Sequence, residues 1–133
     1  MRASRPAVLA ALLLTLEGIA LGIVSVIELV KLTRREVVST PAGTGLVVLT
    51  LLAAVALVAF AYGVLRRVSW ARSGAIVFQV LAIAVAVSSV TLETPRWGFA
   101  LAVGVPGMIG LVLVILAARA DGGSDRRLPA EED

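Results

Sequence analysis

Two glutamates, Glu17 and Glu28, lie within the apolar stretch TLEGIALGIVSVIEL at residues 15–29. On an α-helix, this spacing places both carboxyl groups within about 20° of one face and roughly 16 Å apart along the axis. Carboxyl groups at that distance cannot share one substrate, so they are not a general acid–base pair. Each one could instead bind a proton or a cation alone, or form hydrogen bonds with a neighbouring helix.

Glu17 is the more unusual of the two, because it lies within about two residues of the centre of its apolar segment. A charged side chain at that depth costs about 2.5–3.5 kcal/mol to insert. Protonating a carboxyl group of reference pKa about 4.3 at pH 7 costs a similar amount, about 3.7 kcal/mol. Hydrogen-bonding partners therefore decide its state, and two interpretations stay open. Glu17 either binds a proton or cation, or it holds helices together.

Gln79 is the other central polar residue, and it lies in the third apolar segment. Glu17 and Gln79 each lie about two residues to the same side of their segment's centre. At 1.5 Å per residue, the two side chains are at the same depth within about 2 Å. We predict that they meet across the bundle, directly or through one water. Glu28 lies one turn from Lys31, and this spacing predicts an exposed ion pair at the helix end.

The elements that position these residues are four long apolar segments. The chain has 133 residues, 59% of them hydrophobic, and its mean hydropathy is +1.02. The segments are continuous and long enough to cross about 30 Å of hydrocarbon as helices. Short connections favour antiparallel neighbours. We predict an all-α, antiparallel four-helix integral membrane bundle within residues 1–118, with a flexible cytoplasmic tail at 119–133. Its spans are at about 7–31, 43–65, 70–92 and 97–118.

Several function classes are excluded by what the sequence lacks. It contains neither cysteine nor histidine, which removes thiol nucleophiles, imidazole bases and the usual ligands of zinc, haem and iron–sulfur clusters. It has no phosphate-binding loop, nucleophile elbow, zinc-protease or dinucleotide motif. We therefore expect no enzymatic activity, no cofactor and no metal site. The net charge of +3 does not indicate nucleic acid binding, because the basic residues lie at the ends of apolar segments.

The distribution of basic residues predicts that both termini are cytoplasmic in a multi-pass protein of the cell membrane. With that orientation, eight Lys and Arg residues lie inside and four lie outside. The inner ones are Arg2, Arg5, Arg66, Arg67, Arg72, Arg119, Arg126 and Arg127, and the outer ones are Lys31, Arg34, Arg35 and Arg96. The cluster of Arg66, Arg67 and Arg72 is interpreted either as a topology signal or as a site for anionic lipid headgroups.

Small residues indicate where helices approach closely. Gly18 and Gly22 form a GxxxG motif in the first span, which lets a neighbouring backbone come near. The fourth span contains GVPGMIG, in which Gly104, Gly107 and Gly110 make room for a partner. Pro106 removes one helical hydrogen bond and predicts a kink there. Such a kink is either a fixed bend in a packed bundle or a hinge for transport.

Four pieces of the chain carry a resemblance to a known family. They are Glu17-Gly18, Glu28-Leu29, RRVSWARSGAIVFQ at 66–79 and Trp97-Gly98. Over about residues 7–118, the chain resembles uncharacterised small four-span integral membrane proteins of high-GC Gram-positive bacteria. The resemblance implies four helices in a bacterial cytoplasmic membrane, and it implies no activity.

Two functions stay open from the sequence. The first is a non-enzymatic membrane protein, an accessory or interaction subunit, with the lipid bilayer and a second copy or another membrane protein as partners. The alternative is a small proton-coupled transporter that uses Glu17. Small multidrug-resistance transporters also have four spans and a glutamate in the first one, which is a likeness of architecture. This chain lacks their aromatic-rich helices, having one tyrosine and two tryptophans.

Overall fold

Four α-helices follow one another along the chain, and the described residues contain no strand. The structure is a computed structural model that describes residues 4–34 and 41–125. The helices are α1 (Arg5–Thr33), α2 (Pro41–Leu65), α3 (Ser69–Val90) and α4 (Trp97–Asp125). All four are long and apolar enough to cross a membrane, which confirms the predicted all-α fold of four membrane helices.

The helix ends follow from local sequence. Pro6 lies in the first turn of α1 and Pro41 opens α2, where the missing backbone N–H of proline removes no helical hydrogen bond. Arg67 has a φ of 58°, and this left-handed residue reverses the chain between α2 and α3. The backbone N–H of Val68 then donates to the carbonyl of Gly63 at 2.9 Å. The short turn makes α2 and α3 antiparallel neighbours.

The fourth helix is longer than the sequence analysis predicts. The sequence predicts a span that ends at residue 118 and a flexible tail from 119, whereas α4 continues to Asp125. Alanine and arginine at 117–120 favour helix, and proline first appears at 129, so nothing stops the helix at 118. The tail therefore begins as helix. The rest of the tail lies outside the described residues. So do four arginines of the orientation count, namely Arg2, Arg35, Arg126 and Arg127.

The bundle consists of two closely packed hairpins. Helix α1 packs most extensively on α2, and α3 packs on α4, while α1–α4 and α2–α3 contacts join the two pairs. The core is made chiefly of alanine, which allows close helix approach. Its members are Ala7, Ala10, Ala11, Leu14, Leu57, Ala61, Val64, Ala75, Val114 and Ala117. All of them lie in the half of the bundle next to the α2–α3 turn.

The predicted packing glycines differ in how closely they are approached. A Cβ atom at Gly18 would lie 3.0 Å from the Ala54 carbonyl oxygen, so α2 touches α1 there. At Gly22 the nearest atom, the Cβ of Ala54, would be 4.0 Å away, so this glycine is not tightly covered. Added Cβ atoms at Gly104 and Gly107 would meet α3 at 3.1 Å and 3.3 Å. Close approach therefore holds at three of these four positions.

Candidate functional site

A side-chain hydrogen bond joins α1 to α3 at the centre of the bundle. Nε2 of Gln79 donates to Oε2 of Glu17 at 2.7 Å. Gln79 is completely buried, at 0% exposure, and Glu17 is partly buried. The contact is direct, as expected from the equal depth of the two residues in their helices. The two central polar side chains of the sequence are therefore brought together, although 62 positions separate them.

Helix α4 makes the space that the Gln79 amide occupies. A Cβ atom at Gly110 would lie 2.5 Å from Nε2 of Gln79, and a Cβ at Gly107 would lie 3.5 Å from its Oε1. Any side chain at residue 110 would thus displace the amide from Glu17. The sequence identifies Gly110 as a glycine that makes room for a partner, but it does not identify the Gln79 amide as that partner. The sequence feature that indicates this contact is the three-residue spacing of Gly107 and Gly110, which puts both on the side of α4 that faces Gln79.

The second polar atom of the amide is unsatisfied. Oε1 of Gln79 is buried and has no hydrogen-bond donor in the part of the chain that the structure describes. A buried acceptor without a donor costs about 1–3 kcal/mol. If Glu17 is neutral, its O–H can donate to Oε1 after the amide turns over. The pair is therefore able to accommodate either protonation state of Glu17.

The surroundings of the pair contain no second reactive group. The sequence has no acidic residue between Glu36 and Glu93, so α2 and α3 bring no further carboxylate. Thr15, the nearest hydroxyl along α1, donates to the Ala11 carbonyl of its own helix at 2.7 Å. Within residues 4–34 and 41–125, no cluster of three or more acidic side chains could hold a metal ion. With one carboxyl group and one amide, the site can do one of two things. The carboxyl group can bind and release a proton, or the pair can hold two helices together by a hydrogen bond.

The predicted ion pair at the other end of α1 is present. Nζ of Lys31 lies 2.9 Å from Oε1 of Glu28. Both side chains are partly exposed, at 43% for Lys31 and 45% for Glu28. An exposed pair of this kind contributes about 0–1 kcal/mol, so it has little part in holding the bundle together.

The arginines of the α2–α3 turn have different surroundings. Nη2 of Arg72 donates to the carbonyl oxygen of Arg67 at 3.2 Å, which stabilises the left-handed turn. The guanidinium of Arg66 lies over the ring of Tyr62, 5.1 Å from its centroid. Arg66 is exposed, and it follows directly after Leu65, the last residue of α2. Arg72 thus has a structural contact within the turn, whereas Arg66 is exposed beside the Tyr62 ring.

The central pair is the feature of this chain with the clearest chemical content. It comprises the only glutamate at mid-depth and the only fully buried amide among the described residues. No protein-family model, curated protein or solved structure matches the chain, so its function has to be inferred from the geometry of its own side chains.

Proposed function

We propose that this chain is a non-enzymatic integral membrane protein that acts as an accessory or interaction subunit. The observation that supports this is the hydrogen bond from Gln79 to Glu17 at 2.7 Å. It uses the two mid-depth polar side chains to join α1 to α3, which is the common role of such bonds in membrane bundles. The partners that we propose are the bilayer and either a second copy or another membrane protein.

A small proton-coupled transporter is the second candidate, and one observation favours it. Oε1 of Gln79 is buried without a donor, although a proton on Glu17 could supply one. In this alternative, Glu17 binds and releases the proton, and the Gln79 amide turns over with each change. Intramembrane carboxyl groups commonly serve in this way.

Proton flux in reconstituted vesicles distinguishes the two candidates. The full chain is placed in liposomes that contain a pH-sensitive dye, and a pH gradient is applied with the membrane potential clamped. For an accessory subunit, we expect the gradient to decay no faster than in vesicles without protein, because the carboxyl group is held in a helix contact. The comparison is made for wild type, Glu17→Gln and Glu28→Gln.

The matched control is Glu28→Gln, which removes a carboxyl group from the exposed end of the same helix. Faster decay with wild type and with Glu28→Gln, combined with loss of that flux in Glu17→Gln, would contradict the accessory role. Proton transport through Glu17 would then replace it.

For the orientation, we propose that both termini lie in the cytoplasm of a bacterial cell. This is supported by the basic residues at the end of the bundle that holds the α2–α3 turn, where Arg5, Arg66, Arg67, Arg72 and Arg119 lie. Reporter fusions after residue 133 and near residue 40 should report opposite sides, with residue 133 inside. An outside location for residue 133 would reverse the proposed topology.

A further inference from the structure

A lipid-facing groove runs along the bundle between α1 and α2. It has a volume of about 690 Å³ and is lined by Gly18, Ile19 and Gly22 of α1 and by α2 from Leu51 to Tyr62. We call it the α1–α2 groove. It exists because glycine leaves space there, most clearly at Gly22, where an added Cβ would have its nearest neighbour 4.0 Å away. Its lining is apolar except for the Tyr62 hydroxyl, so it suits a hydrocarbon ligand.

The length and depth of the groove match one leaflet of a bilayer. From Leu51 to Tyr62 the helix rises about 16 Å, and half of the hydrocarbon thickness is about 15 Å. Helix α2 ends at Leu65, three residues beyond Tyr62, so the groove lies in the leaflet on the side of the α2–α3 turn. An extended acyl chain of that leaflet therefore fits along it.

The groove ends beside an arginine that has no acidic partner. Tyr62 lines the groove, and the guanidinium of Arg66 lies 5.1 Å from the centroid of its ring. Arg66 forms no salt bridge within residues 4–34 and 41–125. The sequence has no acidic residue between Glu36 and Glu93, so neither α2 nor α3 places a carboxylate beside the Arg66 guanidinium. Such charge at a membrane surface attracts anionic headgroups.

We propose that the α1–α2 groove and Arg66 together bind one anionic phospholipid from the leaflet on the side of the α2–α3 turn. One acyl chain lies in the groove, and the headgroup phosphate contacts the Arg66 guanidinium. The ring of Tyr62 lies between the two parts of the lipid and contacts both. Neither feature alone defines the ligand: the groove selects hydrocarbon, and the arginine selects negative charge.

Native mass spectrometry of the full chain tests the headgroup. The protein in mild detergent is mixed with equal amounts of phosphatidylglycerol and phosphatidylcholine that have the same acyl chains. We expect one phosphatidylglycerol to be retained per chain, in preference to phosphatidylcholine by about fivefold. Arg66→Gln should remove this preference. Arg119→Gln, which removes an exposed arginine from α4 at the same end of the bundle, should preserve it.

A second pair of variants tests the groove. Val55→Trp places a large ring in the groove, and Val77→Trp places the same ring on the lipid-facing side of α3. Both valines are exposed, at 62% and 59%, so neither change disturbs the core. We expect Val55→Trp to lower the retention of phosphatidylglycerol by about fivefold or more, since the acyl chain loses its contacts along the groove. Val77→Trp should leave retention unchanged.

Three results would overturn the proposal. The first is equal retention of the two lipids by wild type. The second is an equal loss of preference in Arg66→Gln and Arg119→Gln, which would show general attraction by surface charge. The third is a lipid-free dimer that Val55→Trp dissociates, which would assign the groove to a second copy of the chain.

Discussion

Replacing Gly63 with alanine should lower the free energy of unfolding by about 1–3 kcal/mol, because overpacking forces neighbouring backbone to move. The added Cβ would fall on the Cβ of Ala71 in α3, a residue with 0% exposure. The helices cannot separate easily, since only residues 66–68 connect α2 to α3. Thermal and denaturant unfolding in detergent, followed by circular dichroism, measures the change.

The matched control is Gly45→Ala in the same helix. A Cβ atom at Gly45 meets nothing within 4 Å, so no atom has to move. We expect this variant to be as stable as wild type or more stable by about 0.5–1 kcal/mol, because alanine loses less conformational entropy than glycine in a helix. Equal behaviour of the two variants would mean that α2 and α3 are not in close contact at Gly63.

Gln79→Leu should give the second large effect, a loss of up to about 3 kcal/mol, because it leaves the partly buried carboxyl group of Glu17 without its donor. Removal of the unsatisfied Oε1 of Gln79 offsets part of this loss. Leucine is similar in size to glutamine, so the cavity term is small. Glu28→Gln serves as the comparison, since its exposed ion pair contributes no more than about 1 kcal/mol. The same unfolding measurement applies to both variants.

A double-mutant cycle isolates the bond itself. Adding Glu17→Leu to Gln79→Leu removes both polar partners, and stability should then recover toward that of wild type. We expect a coupling energy of about 0.6–2 kcal/mol between the two positions. Strictly additive effects would show that the 2.7 Å contact contributes nothing specific to the stability of the bundle.

The depth of the central pair could be predicted from the sequence for a simple reason. A membrane fixes where each apolar segment is centred, and the helical rise then fixes the depth of every residue within it. The two polar residues lie at the same depth on spans that run in the same direction. An apolar bundle offers them few other hydrogen-bonding partners. The Glu17–Gln79 contact follows from these constraints, and so does the end-of-helix pair of Glu28 and Lys31.

The rotation of each helix about its axis could not be predicted in the same way. Gly18 and Gly22 belong to one GxxxG motif, yet only Gly18 is tightly covered by α2. Positions four residues apart differ by about 40° around the helix, enough to turn Gly22 toward the lipid-facing groove. The contact of Gly63 with Ala71 could not be predicted from the sequence for a different reason. Small residues are so frequent in these spans that their presence does not identify which pairs touch.

The end of α4 was mispredicted because polarity and helicity are separate properties. The sequence becomes polar at Arg119, which marks where the hydrocarbon ends. Helix formation depends on backbone propensity, and alanine-rich sequence continues it into water. Thus α4 extends to Asp125, beyond the predicted end of the span at residue 118.

The separation of 62 positions between Glu17 and Gln79 has a consequence for biosynthesis. A ribosome adds about 5–20 residues per second, so Glu17 is synthesised about 3–12 s before its partner. During that interval the first hairpin is made, and its carboxyl group must enter the bilayer unpaired or stay beside the insertion machinery. The hydrogen bond can therefore form only after most of α3 has been made, and a chain truncated before Gln79 would keep Glu17 without this donor.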